Sequence, residues 1–129
     1  MANRIMVVDD DPAILDVLRL ILEDEGYEVV TASNEDEVFG WDAARPELIL
    51  LDLWLSGDSG QTICRRLKAD PTTSQIPVIL VSANQDSAEI ARDSGADGFI
   101  RKPFDLDEIL AMIRRHLDGV VTDEVATAG

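Results

Sequence analysis

Four short runs in this chain, three of them apolar throughout, each end in a residue that could do chemistry. Ile5-Met6-Val7-Val8 leads into Asp9-Asp10, and Leu48-Ile49-Leu50-Leu51 leads into Asp52. Val78-Ile79-Leu80-Val81 leads into Ser82, and Gly98-Phe99-Ile100-Arg101 into Lys102-Pro103. If the three carboxylates converge they repel one another, and each titrates higher unless a cation neutralises the group. Magnesium is the fitting ion, because it takes hard oxygen ligands, keeps several waters and prefers one or two carboxylates plus a phosphate oxygen.

Convergence depends on what the runs are. Runs that are apolar on both faces fit strands buried on both sides, as in a parallel sheet covered by helices, and an acid at the carboxyl end then stands at the sheet's rim. Between the runs lie helical patterns. Asp11-Pro12 reads as an N-cap with proline at the first helical position, followed by an expected stripe of Ile14, Val17, Leu18, Ile21 and Leu22 and a stop at Gly26. Tyr27 to Thr31 is a shorter, more polar strand suited to a sheet edge. A second helix is expected from Glu35 to Ala44, weakened by Gly40, which costs about 1 kcal/mol against alanine. Gln61 to Lys68 should bury Ile63, Cys64 and Leu67 and turn Arg65, Arg66 and Lys68 to water. A shallowly buried helix follows from Asp86 to Ser94, and a last one from Asp105 to Leu117 that buries Leu106, Ile109, Leu110, Ile113 and Leu117.

Five strand-helix repeats joined by right-handed crossovers leave few arrangements. The most apolar strands, one, three and four, belong inside. The fold class expected is therefore α/β, a doubly wound parallel sheet of (βα)5 type in the order 2-1-3-4-5, flavodoxin-like. In such sheets ligands bind at the carboxyl ends of the strands by the switch point between strands one and three, where Asp9, Asp10 and Asp52 would meet with Ser82 and Lys102 nearby.

The chain's 129 residues fit one domain, expected over 1–118, with 119–129 a small polar tail lacking helical period and read as disordered. This fits either a single-domain protein or a domain of a longer one. Eleven basic residues against 26 acidic ones give a net charge of -15, which attracts divalent cations and argues against direct nucleic-acid binding. No apolar run approaches the roughly 20 residues of a membrane helix, and the single Cys64 cannot form an internal disulfide, so a cytoplasmic setting is expected.

These residues, in this order and on four strand ends, resemble the receiver domain of two-component response regulators from Arg4 to about Leu117. The resemblance implies that Asp52 is the phosphoacceptor and that Asp9, Asp10 and Asp52 hold magnesium, or manganese in its place, together with the backbone carbonyl of Trp54. It implies that Ser82, the Ala83 amide and Lys102 stabilise the phosphoryl group. Ser82 and Phe99 are implied as the switch that reshapes the face of the fourth helix, fifth strand and fifth helix. Trp54 and Asn84 are implied to tune hydrolysis, and the Lys102-Pro103 bond is a cis candidate. The implied donor is a sensor histidine kinase or a histidine phosphotransfer protein, with a further, unidentified protein downstream. On that reading the chain is a signalling phosphoacceptor that catalyses its own phosphorylation and dephosphorylation, as a monomer or weak dimer. Met112 stands where the winged-helix subfamily usually has an arginine for dimer salt bridges, so that dimer is not implied.

Plainer roles account for other polar residues. Asp11 is a helix cap, Cys64 buried filler, His116 a solvated residue at the negative end of the last helix, and Glu23-Asp24-Glu25 and Glu35-Asp36-Glu37 solvated surface. A haloacid-dehalogenase-type phosphatase would need a second aspartate two residues after the nucleophile, where Trp54 stands. A phosphate-independent interaction module would have no use for the filled set of chemical positions.

Overall fold

The computed structural model of the chain describes residues 3–40, 45–55, 59–83 and 87–117. Strands and helices alternate as β1 (Arg4–Val8), α1 (Pro12–Asp24), β2 (Glu28–Ala32), α2 (Glu35–Val38), β3 (Leu48–Asp52), α3 (Gly60–Ala69), β4 (Val78–Ser82), α4 (Ser87–Asp93), β5 (Gly98–Arg101) and α5 (Leu106–Leu117). All strand pairs are parallel and their order is β2-β1-β3-β4-β5, so the most apolar strands, β1, β3 and β4, lie inside and the more polar β2 and β5 form the edges.

Alternation along the strands divides the core in two. Ile5, Val7, Leu48, Leu50, Ile79 and Val81 face α1 and α5, where they meet Leu15, Leu18, Leu22, Ile109, Leu110 and Ile113. Met6, Val8, Ile49, Leu51, Val78 and Leu80 face the other layer, with Val38, Ile63, Cys64, Leu67 and Ala91. Every residue of β3 and β4 is buried. Leucines enclosed this way contribute roughly 1.5–3 kcal/mol each, which holds the strand ends in fixed positions. The site inherits that rigidity.

Several details depart from the pattern read in the sequence. The buried stripe of α1 is Leu15, Leu18 and Leu22, with Ile14 and Ile21 half-buried and Val17 exposed. This helix is apolar over much of its circumference, so two stripes at helical spacing compete, and contact with the sheet selects the one through Leu15. Leu106 is exposed because it stands in the first turn of α5, at the rim beyond the end of β5. The described part of α2 ends at Val38, and Trp41 to Ala44 lie outside the described residues. Lys68 does not face water. It is half-buried, its ammonium 2.6 Å from Asp97 and donating to the carbonyls of Ser74 and Ile76 at 3.1 and 2.8 Å. His116 is likewise partnered, its ring nitrogens 2.9 Å from the Met112 carbonyl and 3.1 Å from that of Asp97. Among the described residues no helix is long and apolar enough to cross a membrane.

Candidate functional site at the strand ends

The register of the sheet sets the site. Asp52 pairs with Val81, and Ser82 with Arg101, so β3, β4 and β5 end in step. Asp9 directly follows β1 and its amide donates to the Ala32 carbonyl at 3.1 Å, which ties it to β2. Lys102 follows β5, and its amide donates to the Ser82 carbonyl at 3.0 Å. The Lys102-Pro103 peptide is cis, as the resemblance implies. Asp9 and Asp52 continue the side-chain parity of the face covered by α1 and α5, whereas Ser82 continues the opposite one.

Asp9, Asp10 and Asp52 offer carboxylate oxygens that all lie within 4.8 Å of one another. Asp9 and Asp52 are buried and Asp10 is more open. The Asp9 carboxylate is held by the Asp11 amide, which donates at 2.9 Å, while Asp11 itself caps α1 by accepting from the Ala13 amide at 2.9 Å. The acid pair and the helix start are thus one turn of chain with separate tasks. At Asp52 the Trp54 amide donates to Oδ1 at 3.2 Å. The Lys102 ammonium stands 3.6 Å from Asp9 and 3.7 Å from Asp52. Beneath them Val7, Leu50, Val81, Phe104 and Ile109 form an apolar floor.

That floor has an electrostatic consequence. Burial pushes the Asp52 carboxyl above the usual carboxylate range; the Trp54 amide and the Lys102 ammonium pull it back, and the charges of Asp9 and Asp10 push it up again. Three carboxylates and one ammonium sum formally to two negative charges, the complement of one divalent cation. Oxygens around magnesium stand about 3 to 4 Å apart, so a cluster spread up to 4.8 Å fits the ion with a slight closure or with one acid bound through water.

The other expected site residues are placed as follows. Ser82 is buried at the end of β4, with Ala83 exposed just beyond it. Phe99 is half-buried in β5 against the layer of α3 and α4. Trp54 exposes about half of its surface and pairs with Ser59 in an isolated bridge that closes the loop after Asp52. Asn84 and the tail from 118 onward lie outside the described residues. Sequence reasoning passed over one residue here, Gly60, which packs directly on the backbone of Asp52 and Leu53. The only signal for it was a glycine opening a helix.

Comparison with known proteins gives a consistent picture. Residues 5–114 match the family model described as "Response regulator receiver domain". The chain is 44% identical over 117 residues to the DNA-binding dual master transcriptional regulator RpaA of Synechocystis sp., covering 86% of this chain and 47% of that protein. It is 37% identical over 120 residues to the DNA-binding response regulator MtrA of Mycolicibacterium smegmatis, covering 91% and 51%. Among solved structures, the signal receiver domain of a signal transduction histidine kinase from Syntrophus aciditrophicus superposes with a TM-score of 0.84 at 32% identity, covering 99% of each chain. The chain spans about half the length of the curated relatives it matches. Those relatives also correct the exclusion of nucleic acid drawn from charge, since proteins this similar are DNA-binding by name. A net charge of -15 is a sum over this chain alone, and repulsion between exposed charges fades over about 10 Å in salt, so an acidic domain does not keep a protein twice its length from DNA.

Proposed function

The chain belongs to the response regulator receiver domain family, so its function is phosphoacceptance in two-component signalling, and on that premise we propose that Asp52 is the acceptor. The donor is a phosphohistidine on a sensor kinase or a phosphotransfer protein. The observation that carries the assignment is the position of Asp52, a buried carboxylate beside Asp9, Asp10 and Lys102 with Trp54 holding one of its oxygens.

Asp9, Asp10 and Asp52 hold magnesium, or manganese, with the Trp54 carbonyl as a further ligand. The ion, when bound, neutralises charge on the acids and on the phosphoryl oxygens. The chain's own residues do the rest. Asp52 supplies the attacking oxygen, held away from bulk water, and the P–N bond to the donor imidazole breaks as the O–P bond forms, leaving the electron pair on the ring nitrogen. Lys102 lies where it can neutralise charge gathering on the equatorial oxygens, and the Ser82 hydroxyl and Ala83 amide donate to them. Water attack on the same phosphorus returns the carboxylate, so the domain catalyses both its phosphorylation and its dephosphorylation. Trp54 and Asn84 shape the approach of that water.

The signal leaves through Ser82 and Phe99. Ser82 moves toward the phosphoryl group, Phe99 turns into the space, and the face of α4, β5 and α5 changes its affinity for a downstream protein. The phosphoryl group acts only through its different affinity for two states. We take the receiver domain to end near residue 118 and place it in the cytoplasm, where a lone buried thiol such as Cys64 stays reduced.

The test is incubation with acetyl phosphate and magnesium, read by intact mass. Wild type should gain one phosphoryl group and Asp52→Ala none. Equal labelling of both proteins would refute the assignment.

A further inference from the structure

A Cβ placed on Gly60 would overlap the Asp52 carbonyl oxygen and stand 2.7 Å from Leu53 Cα and 3.0 Å from the Leu53 carbonyl oxygen. All three obstacles are backbone atoms, so no side-chain rotation relieves them. Torsion is not the reason for the glycine, because among the described residues positive φ is confined to Gly26 and Gly95. Inside a helix, glycine costs about 0.5–1 kcal/mol relative to alanine. Gly60 opens α3, where that penalty is not the deciding effect; the space in front of Asp52 is what forbids a side chain.

The same peptide is held from other sides. The Leu53 amide donates to the Val81 carbonyl at 3.0 Å, which fixes it to β4, and the Gly60 amide donates to the Leu53 carbonyl at 2.9 Å, which fixes it to α3. Trp54 and Ser59 pair across the mouth of the loop, and Ser59 caps α3 by accepting from the Thr62 amide at 3.4 Å.

We propose that Gly60 is a positioning residue for the phosphoacceptor. It brings the first turn of α3 into contact with the Asp52–Leu53 peptide and thereby sets where the Asp52 carboxylate stands relative to Asp9, Asp10 and Lys102. The proposal rests on the reading of Asp52 as the acceptor. Any side chain at 60 pushes that peptide aside, and a misplacement of about 1 Å in such a site costs on the order of a hundredfold in rate.

The test compares wild type, Gly60→Ala, Ser59→Ala and Gly95→Ala as full chains. Gly95 has φ +82° and meets only the Lys68 side chain within 4 Å, so its replacement strains the backbone away from the acceptor. Two quantities are read under conditions where circular dichroism shows a folded protein: the magnesium concentration giving half the maximal thermal shift, and the rate of phosphorylation by acetyl phosphate at low and saturating donor. Gly60→Ala should raise the magnesium midpoint and lower the saturating rate about tenfold to a hundredfold, with little change in the donor concentration for half-maximal rate. Gly95→Ala should lower the melting temperature and leave both quantities as in wild type. Ser59→Ala frees the first turn of α3 while keeping Gly60 and should give an intermediate loss. A folded Gly60→Ala with wild-type midpoint and rate overturns the proposal, as does a Gly95→Ala impaired to the same degree. If Gly60→Ala does not fold, Ser59→Ala decides, and wild-type behaviour in that variant overturns the proposal. A wild type that takes no phosphoryl group, but whose magnesium response weakens in Gly60→Ala, overturns the acceptor reading and leaves the positioning of the carboxylate standing.

Discussion

The Lys102 ammonium stands 3.7 Å from the nearer Asp52 oxygen, too far for a direct hydrogen bond and close enough for the charges to be felt. It is shared, because an Asp9 oxygen lies 3.6 Å away. A lysine that faces two carboxylates without contacting either leaves room for incoming phosphoryl oxygens without first breaking a tight ion pair. The arrangement also leaves Asp52 under-compensated. Its own burial and the neighbouring acids oppose the charge that Lys102 and the Trp54 amide support.

Neutralising that carboxylate should therefore stabilise the metal-free protein. Asp52→Asn keeps an oxygen for the Trp54 amide, removes the repulsion from Asp9 and Asp10 and removes a buried charge, at the loss of the attraction to Lys102. In chelator, the variant should melt on the order of a few degrees above wild type. Added magnesium should raise the melting temperature of wild type more than that of the variant, by mass action on the folded state. A metal-free Asp52→Asn that melts below wild type would mean that attraction to Lys102 outweighs burial and repulsion.

A different consequence of burial applies to Cys64. Burial pushes its thiol up to about 11, with Lys68 pulling down and Asp97 pushing up by lesser amounts, and the thiol donates to the Ser94 carbonyl at 3.5 Å. In the unfolded chain the same group titrates near 9. The unfolded state thus loses its proton first, so this group's contribution to stability is complete below about pH 9 and falls as pH rises toward 11. At pH 8 the native thiol should react with iodoacetamide about a hundredfold more slowly than the thiol in urea, because the thiolate is the nucleophile. Equal rates for native and unfolded protein would show that the thiol is open to reagent and solvent.

Much of this was legible because the chemistry sits at the ends of apolar runs. Asp9, Asp52, Ser82 and Lys102 can be placed at one rim from the strand order alone, since every strand in a parallel sheet ends on the same side. The inward stripe of α1 was not legible, because Val17 and Leu15 both have apolar neighbours at helical spacing and only the position of the sheet separates them. Lys68 misled for another reason. Its charge, like that of Arg65 and Arg66, suggests an exposed face, but its partner Asp97 is 29 residues further along the chain and comes near only through the return of β5. Gly60 needed coordinates, because what distinguishes it is the space left against the Asp52 carbonyl.

Trp54 gives the last expected outcome. Its amide is bonded to Asp52 while about half of its surface is exposed, so its backbone is tied to the acceptor and its indole borders the open side of the loop. An indole responds to the polarity around it, and magnesium binding followed by phosphorylation changes the charge two residues away. Intrinsic fluorescence should report both events in a Trp41→Phe background, where Trp54 is the remaining indole. In the proposed role the same bulk would restrict the line along which water reaches the phosphorus. Trp54→Ala should shorten the lifetime of the aspartyl phosphate by about two- to tenfold, since in-line attack depends on near-attack geometry. Dephosphorylation is followed after donor removal, with magnesium affinity measured in parallel to separate loss of the ion from entry of water. An unchanged lifetime, together with a Trp54 signal that ignores magnesium, would place the indole away from the acceptor and end its role in tuning hydrolysis.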